Sequence, residues 1–456
     1  MTASDPAFTP ILLTLPSLTP SLALEVLPAG LTFHRLFVQA DGKTHDILIG
    51  PEDPTGHQTQ KYTNTIIGRY SNRLPVGAFK ISRGSFESTV SPQANEKPTV
   101  SLHGGVKGFD QYPWEPLVDP SASELFTPAE LATLQTRAPS SMIFKRISED
   151  GEEGFPGTLL CETLVALAQP EGAPAQTADG TKERNLGSVI IVHRAKLLDD
   201  GKITLINLTQ HLGFNLDASL RGGPKMPSVK DHTISIKADY LAETDTDLLS
   251  TGALIPTTRP HAHAKKSTGC IGEAFPENGY DDFYAFSKRP PPTVMFASEI
   301  TPEVDLVGAL LARDGPAAAE VVSLTGGKSG LRISFATNQS GVHFYSNNFS
   351  APEKTARKKI HGGSGSVGDG YTPGSAAFLG FQASFATWLD PTTRVREDED
   401  TMLTSGQVYN NSTRMDVWYK APPRDASKRR RGRSINYCLD ILRSKWQWCE
   451  EHLRFR

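Results

Sequence analysis

Residues 188–197 read SVIIVHRAKL and residues 202–208 read KITLINL, with the turn-forming triplet DDG at 199–201 between them. Both stretches are rich in β-branched residues, and an Asp-Gly pair between two such stretches is a common hairpin signal. Because a short turn joins strands that run in opposite directions, this part of the chain predicts an antiparallel hairpin.

The same kind of pattern continues along the chain. Residues 233–238 (TISIKA) and 331–337 (LRISFAT) alternate apolar and polar side chains, which is the period of a strand with one face in a core. Helical periodicity is scarce before the C-terminal segment, and 39 Gly and 33 Pro residues divide the sequence into short pieces. These observations favour an all-β fold, a large antiparallel β-sandwich, over an α/β arrangement.

The composition changes after Lys420. Residues 421–456 begin with two prolines, contain the basic run KRRRGR at 428–433 and then place apolar residues at roughly helical spacing. We interpret 421–456 as a basic C-terminal appendage with a short helical segment. The basic run could bind nucleic acid, but a short cationic tail beside a neutral body is more often a solvated segment.

Three other stretches lack strand alternation and are rich in Pro, Ala, Ser, Gly and charged residues. We interpret them as surface insertions, the last of them as a mobile loop. They are residues 117–150, 169–186 and 351–370.

Charge and cysteine content narrow the class of protein. The formal net charge of -3 at pH 7 leaves no field over the whole molecule that would attract nucleic acid or an anionic membrane. The 4 cysteines show no metal-ligand spacing and are too few for a disulfide scaffold. Residues 1–6 show no basic patch followed by an apolar run, and no apolar stretch is long enough to cross a membrane, so we expect neither secretion nor membrane insertion. We therefore expect a cytoplasmic protein with no nucleic-acid or membrane partner.

Two histidines stand out as candidates for proton-transfer chemistry. His103 lies in SLHGG at 101–105, and His211 lies at the end of a predicted strand. With Arg73 and Asp281 they would supply a proton donor, a proton acceptor and an orienting cation to a neutral, polar small molecule. Each residue also has a structural alternative. His103 could cap a loop, His211 could be a satisfied core histidine, Asp281 could stabilise a turn, and Arg73 could pair with a surface carboxylate.

Several motifs together resemble the aldose 1-epimerase (galactose mutarotase) family. The likeness runs from about Val26 to Tyr419, which implies a β-sandwich domain over residues 26–420 and an N-terminal extension over residues 1–25. The motifs are GRYSNRLPVG at 68–77, LHGG at 102–105, GFD at 108–110, WE at 114–115, His211 with FNL at 214–216, GYDDF at 279–283 and TNQSGVHFYS at 337–346.

The resemblance implies a reaction and a set of roles. In that family a base removes the anomeric hydroxyl proton while an acid protonates the ring oxygen, so that the sugar ring opens and closes again on its other face, without a metal or any other cofactor. By position, His211 would be the ring-oxygen acid, and His103 would bind the oxygen that becomes charged. Phe109, Trp114 and Phe214 could form an apolar wall for the sugar, or could equally be core residues. The substrate-binding residues would be Asn72, Arg73, Asp281 and Gln382.

One position departs from the family pattern. The family's base is a glutamate two residues before a glutamine, and the matching stretch FLGFQASF at 378–385 has Gly380 at that position. Glycine cannot accept a proton, and the nearest downstream carboxylate is Asp390. Two hypotheses follow from this. The chain is an aldose 1-epimerase whose base is Asp390, a histidine or a water held by Gln382, or it is a carbohydrate-binding protein that has lost the base.

We expect the substrate to be a monosaccharide of the glucose or galactose class. We expect a monomer or a weak dimer.

Overall fold

The computed structural model describes most of the chain and leaves out several short stretches and the C-terminal segment. Contacts divide the chain into two units, Met1–Lys420 and Ala421–Arg456. The predicted helical segment of the appendage lies outside the described residues and stays a prediction. The described residues are 5–170, 182–220, 226–257, 269–273, 275–287, 292–312, 319–394 and 399–421, with the backbone of 175–176 and 268.

The described residues are mainly β-strands, and every pairing between named strands is antiparallel. The predicted fold class is therefore confirmed. The helices are α1 (Pro128–Arg137) and α2 (Leu306–Ala312). The strands are β1 (Ile11–Thr14), β2 (Leu22–Leu27), β3 (Thr32–Ala40), β4 (Lys43–Asp46), β5 (Ile66–Ile67), β6 (Arg73–Pro75), β7 (Phe79–Arg83), β8 (Phe86–Val90), β9 (Val100–Leu102), β10 (Glu115–Leu117), β11 (Ser140–Ser148), β12 (Leu159–Ala168), β13 (Ala175–Gln176), β14 (Lys182–Leu197), β15 (Ile203–Leu205), β16 (Thr209–Gln210), β17 (Leu212–Phe214), β18 (Thr233–Ile236), β19 (Ala238–Thr244), β20 (Ser250–Pro256), β21 (Thr268–Cys270), β22 (Asp281–Phe286), β23 (Val294–Phe296), β24 (Val322–Thr325), β25 (Leu331–Thr337), β26 (Gly341–Tyr345), β27 (Ala377–Gln382), β28 (Met402–Thr404) and β29 (Gln407–Lys420).

The largest sheet has the strand order β10-β11-β12-β14-β29-β25-β24-β18-β21, with β13 beside β14 and β23 beside β29. The opening stretch of the sequence forms two strands as expected, but the predicted hairpin is wrong. β14 pairs with β12 on one side and β29 on the other, while β15 pairs with β28. Because two long strands already occupy both edges of β14, its neighbour in sequence must pair elsewhere.

A second sheet of six strands, ordered β17-β27-β26-β22-β19-β20, packs against the large one. The ring centroids of Phe335 in β25 and Phe381 in β27 are 4.8 Å apart, and Phe381 and Leu379 belong to the main apolar core. Since side chains alternate along a strand, Phe378, Gly380 and Gln382 must lie on the opposite face of β27. The six-stranded sheet therefore has one face in the core and one face outside it.

Two helices cover the other face of the large sheet. Leu134 of α1 and Leu310 of α2 share an apolar cluster with Ile143 of β11 and Leu164 of β12. The interpretation of 117–150 as a surface insertion is wrong for these elements, because the segment contributes both α1 and the paired strand β11.

The N-terminal segment contributes strands to the fold. In the four-stranded sheet β1-β2-β3-β4, the described part of the predicted extension 1–25 forms β1 and the first part of β2. Residues 182–186, predicted as part of an insertion, belong to β14. The remaining short sheets are the pairs β15-β28, β16-β5, β6-β9 and β7-β8.

The segment 351–370 contains a buried anchor. Lys358 is 0% exposed, and its Nζ donates to Asp46 Oδ2 at 2.7 Å and to the carbonyl oxygens of His34 and Leu48 at 2.6 and 2.8 Å. A buried ammonium needs such partners to offset its lost hydration. The interpretation of this segment as a mobile loop is therefore wrong around Lys358.

Candidate active site

Strand pairing places polar and aromatic side chains together on the outer face of the six-stranded sheet. His343 in β26 lies directly opposite Gly380 in β27, and Tyr345 lies opposite Phe378. Residues that are directly paired in antiparallel strands share one face. The His211 ring stacks on Phe378 with centroids 4.7 Å apart, so it belongs to the same face. We use the name histidine site for Asn72, Arg73, His103, His211, Asp281 and His343.

The two histidines predicted from the sequence meet in this site. Their ring centroids are 5.5 Å apart, with an angle of 56° between the ring planes. His103 directly follows β9 and is partly exposed, whereas His211 lies between β16 and β17 and is 9% exposed. Residues that are far apart in the sequence are thus brought side by side by the pairing of short strands around the sheet edge.

A reciprocal pair of backbone contacts fixes the orientation of His103. The backbone N–H of Asn72 donates to His103 Nδ1 at 3.1 Å, and the backbone N–H of His103 donates to the Asn72 carbonyl oxygen at 3.0 Å. Both residues have positive φ angles, 67° for Asn72 and 56° for His103. The next pair along, Arg73 with Leu102, begins the β6-β9 ladder that holds this arrangement.

Tyr62 connects the two histidines, and sequence reasoning missed it. His211 Nδ1 lies 2.8 Å from the Tyr62 carbonyl oxygen. The Tyr62 ring packs edge-on against His103 with centroids 4.8 Å apart. Nothing in the local sequence marks Tyr62, because its contacts with both histidines arise only from the folded chain.

Arg73 is held by two carboxylates. Its Nε and Nη2 donate to the two oxygens of Glu96 at 2.7 and 3.0 Å, and its Nη1 lies 3.5 Å from Asp281 Oδ2. The side chain is 7% exposed. Because a fork-shaped contact to Glu96 fixes the guanidinium plane, the remaining donor is directed towards the Asp281 side of the site.

His343 links Asn72 to Asp281 and is the second residue that sequence reasoning missed. Its Nε2 lies 2.7 Å from Asp281 Oδ1, and its Nδ1 lies 3.1 Å from Asn72 Nδ2. His343 is part of a stretch that resembles the family. The alternation of apolar and polar residues in that stretch does not show which other strand lies beside it. The register with β27, which sets His343 opposite Gly380, supplies that information.

Gly380 and Gln382 border a small polar gap. A Cβ atom at Gly380 would lie 3.4 Å from Thr209 Oγ1 and 3.8 Å from Gln382 Oε1, which are ordinary contact distances. Among the described residues, Thr209 Oγ1 and Gln382 Nε2 have no hydrogen-bond partner although both are buried. The structure thus places Gln382 beside the position of the missing carboxylate, and records no bond from Gln382 to the histidines within the described chain.

The aromatic residues proposed as a sugar wall lie elsewhere. Phe109, Trp114 and Phe214 are at most 1% exposed and belong to the apolar core. That interpretation is wrong, and their alternative as core residues is confirmed. Aromatic rings that contact the histidines of the site include those of Tyr62, Tyr345, Phe378 and Phe385.

Burial controls the charge of the site. It lowers the pKa of His211 to about 4, and it lowers the pKa of His103 well below its ordinary value, with His211 and Arg73 acting in the same direction on His103. Burial alone would raise the pKa of Asp281, but the hydrogen bond to His343 and the nearby positive charges lower it. At neutral pH the His103 and His211 imidazoles are therefore neutral and the Asp281 carboxylate is ionised.

Asp390 is directed away from this site. Burial raises its pKa, and a hydrogen bond to the Ser250 side chain opposes that shift. A Cβ atom added to Gly252 would be 3.6 Å from Asp390 Oδ1, so Asp390 lies against β20. β20 and β17 form opposite edges of the six-stranded sheet. The structure thus does not bring Asp390 to His211, and its proposed role as the base is wrong.

The described residues contain neither a metal-binding cluster nor a membrane-spanning helix. Across these ranges, no group of three or more His, Cys, Asp or Glu side chains could hold a metal ion. In the same part of the chain, neither helix has the length and apolar character needed to cross a membrane.

Comparison with known proteins identifies the family. The sequence model of the family described as "Aldose 1-epimerase" matches residues 183–414, just over half of the chain. The chain therefore belongs to the aldose 1-epimerase family. His211, Asp281, His343 and Gly380 fall within the matched range, whereas His103 precedes it.

Individual relatives agree with this assignment. The galactose mutarotase of Homo sapiens is 30% identical over 264 residues, which cover 57% of this chain and 63% of that protein. The aldose 1-epimerase of Escherichia coli (strain K12) is 26% identical over 207 residues, which cover 45% of this chain and 46% of that protein. The chain thus spans less than two thirds of the length of these curated relatives.

Solved structures show the same fold. A GalM/aldose epimerase homologue from C. elegans has a TM-score of 0.61 and 18% identity, with 91% of this chain and 100% of that chain covered. Galactose 1-epimerase from Lactobacillus acidophilus NCFM has a TM-score of 0.57 and 14% identity, with 91% and 99% covered.

Proposed function

We propose that this chain is an active aldose 1-epimerase that interconverts the α and β anomers of a hexose. The observation that carries the proposal is the meeting of His103 and His211, with ring centroids 5.5 Å apart, on the outer face of the six-stranded sheet. Imidazoles can accept or donate a proton near neutral pH, as ring opening of a hexose requires. Chemistry of this kind needs no metal or nucleotide.

The surroundings of the histidines suit a neutral polyol. Arg73 Nη1 and the Asp281 carboxylate offer a donor and an acceptor 3.5 Å apart. Hydroxyl groups both donate and accept, so a sugar can bond to such mixed pairs. Tyr345 and Phe378, whose ring centroids are 5.6 Å apart, supply apolar surface beside the same polar groups.

The choice of sugar follows the names of the relatives. Curated relatives are described as galactose mutarotases or aldose 1-epimerases, which favours galactose or glucose as the substrate here. We propose Asn72, Arg73, Asp281 and Gln382 as the residues that bind the sugar. A cytoplasmic location and a monomeric or weakly dimeric state stay predictions.

Polarimetry of freshly dissolved α-D-galactose and α-D-glucose tests the proposal. We expect the purified protein to accelerate the approach to anomeric equilibrium in proportion to its concentration, after subtraction of the rate in buffer. A His103→Leu, His211→Leu double variant provides the background for contaminating epimerase. Relaxation no faster than buffer, together with measurable sugar binding by calorimetry, would contradict catalysis and support the carbohydrate-binding alternative.

A further inference from the structure

The hydrogen bond to Tyr62 determines which nitrogen of His211 can act as a base. A backbone carbonyl oxygen only accepts hydrogen bonds. Because the Tyr62 carbonyl oxygen lies 2.8 Å from His211 Nδ1, that nitrogen carries the proton. In a neutral imidazole, Nε2 then holds the lone pair. His211 thus presents a proton acceptor at Nε2.

His103 has the opposite tautomer for an equally direct reason. A backbone N–H only donates, and the N–H of Asn72 lies 3.1 Å from His103 Nδ1. His103 Nδ1 must therefore hold the lone pair, and its proton lies on Nε2. Among the described residues no hydrogen-bond partner is recorded for Nε2 of either His103 or His211. The site thus pairs a free acceptor on one ring with a free donor on the other.

We propose that the neutral His211 imidazole is the general base that replaces the carboxylate missing at Gly380, and that the Nε2–H of His103 donates to the sugar oxygen on which negative charge develops. This inference rests on the proposed function. It reverses the role of His211 that the family resemblance implies, since there His211 would be the acid. The substrate group concerned is the anomeric hydroxyl of a pyranose.

The proton balance of the reaction closes within the site. His211 Nε2 takes the proton from O1, the O1–C1 double bond forms, and the electrons of the C1–O5 bond move to O5. The same Nε2–H then returns the proton to O5, which lies close to O1 because both oxygens were bonded to C1 before the ring opened. His103 keeps its own proton throughout and stabilises the alkoxide by a hydrogen bond. Rotation about C1–C2 and the reverse steps give the other anomer.

Two carboxylates close to the histidines are already engaged. Asp281 accepts from His343 at 2.7 Å and faces Arg73 at 3.5 Å, which makes it a weak proton acceptor. Glu96 is bonded through both oxygens to Arg73. Among the residues of the histidine site, the basic atom with no recorded hydrogen bond is therefore Nε2 of His211.

The pH profile of kcat/KM distinguishes the two roles without any substitution. If neutral His211 is the base, the enzyme-catalysed rate should be constant from about pH 5.5 to 8.5 and fall at lower pH as His211 becomes protonated. If protonated His211 were the acid, the rate would fall roughly tenfold per unit as the pH rises above its pKa, which would overturn the inference. The other titratable or charged groups that face His211 are Tyr62, Arg73, His103, Asp281, His343 and Tyr345.

His343 is the third imidazole of the histidine site and lies between Asn72 and Asp281. The measurement is therefore repeated in a His343→Gln variant, where the plateau should persist. A plateau that disappears with His343 would assign the pH dependence to that residue and overturn the assignment of the base to His211.

Four variants provide a second test. His211→Gln keeps a donor and an acceptor but cannot take up a proton, so kcat should fall about 10²–10⁴-fold while KM changes little. His103→Gln retains a donor and should lose less activity than His103→Leu. Asp390→Asn serves as the matched control and should be fully active. Urea unfolding midpoints show whether each variant is folded.

The possible failures can be told apart. A folded His211→Gln variant that retains wild-type kcat overturns the inference while the proposed function stands. Wild-type protein that does not accelerate mutarotation at any pH overturns the proposed function and this inference with it.

Discussion

Two polar regions of this molecule use the same side-chain types in different ways. The first, which we call the Lys358 cluster, consists of Lys358, Asp46, His361 and Tyr371. His361 Nδ1 lies 2.7 Å from the Tyr371 hydroxyl and its Nε2 lies 2.8 Å from the Asp46 carbonyl oxygen. Both ring nitrogens are thus occupied, and Lys358 and Asp46 are 0% exposed. The polar groups of this cluster thus form their hydrogen bonds within the cluster itself.

In the histidine site, His103 and His211 each use only one of their two ring nitrogens in a recorded hydrogen bond within the described residues. His103 and His211 are each held through Nδ1 by a backbone group, and no bond is recorded for either Nε2 within the described residues. Burial lowers the pKa of His361 and His211 alike, in each case to about 4. The difference between the regions is therefore spare hydrogen-bonding capacity rather than residue type or pKa, and that spare capacity marks a site that can bind and react.

The largest effect is expected where the Lys358 cluster is broken. Lys358→Met removes the nearer of two cations from the buried Asp46 carboxylate and leaves Arg35 at 3.9 Å, so the free energy of unfolding should fall by about 3 kcal/mol. Urea denaturation followed by tryptophan fluorescence measures this change. The exposed neighbour Lys359 supplies the control, since Lys359→Met should change stability by less than about 0.5 kcal/mol. Equal losses in the two variants would show that the cluster does not stabilise the fold.

A smaller effect, on activity, is expected from Gly380→Glu. A Cβ atom fits there, since it makes ordinary contacts of 3.4 and 3.8 Å with Thr209 and Gln382. The introduced carboxylate should act as a second base and raise the pKa of His211. We expect kcat/KM to increase by about 10-fold or more, with a new decrease in rate at alkaline pH. Polarimetry over a pH series measures both.

Gly380→Gln is the uncharged control for that experiment. It has nearly the same shape as the glutamate variant but cannot accept a proton, so it should show no gain. If the folded Gly380→Glu variant has wild-type activity and an unchanged pH profile, the gap at Gly380 is not connected to the chemistry of His211.

The smallest effect is expected on the pH dependence of stability, where the Lys358 cluster and the histidine site should behave alike. A histidine whose folded pKa lies below its unfolded value of about 6.5 favours unfolding as the pH falls. His211 and His361 should each contribute about 1.4 kcal/mol per pH unit between pH 6.5 and their folded pKa of about 4. The stability conferred by each neutral ring is present above pH 6.5 and is lost on acidification.

Urea unfolding at several pH values measures this slope. Both His211→Gln and His361→Gln should reduce it by a similar amount, although only the first should remove activity at pH 7. A slope that is the same in wild type and in both variants would show that neither imidazole is held neutral by the fold.

Strand content could be predicted from the sequence because alternation is a local property, but strand partners could not. Residues 188–197 and 202–208 are both strand-forming, yet β14 pairs with β12 and β29 while β15 pairs with β28. The turn between them carries a hairpin signal, and competition from longer partner strands overrides it. Local propensity selects the element, and pairing depends on every strand that competes for the same edge.

The motif residues of the site could be predicted from the sequence, but the contacts between them could not. His103, His211, Arg73 and Asp281 stand in recognisable motifs, and the structure brings them together. His343 is equally central, but its place opposite Gly380 depends on the register of β26 and β27. A shift of one residue in that register would turn the side chain to the other face.

The sequence alone determined the all-β class, the presence of two candidate histidines and the absence of a carboxylate at position 380, because each is a matter of residue type or local period. Only the tertiary structure decided which nitrogen of each imidazole is free. That choice is made by the Tyr62 carbonyl and the Asn72 amide, which are backbone groups present in every residue and therefore invisible in a sequence. They acquire a role only when folding brings them to particular rings.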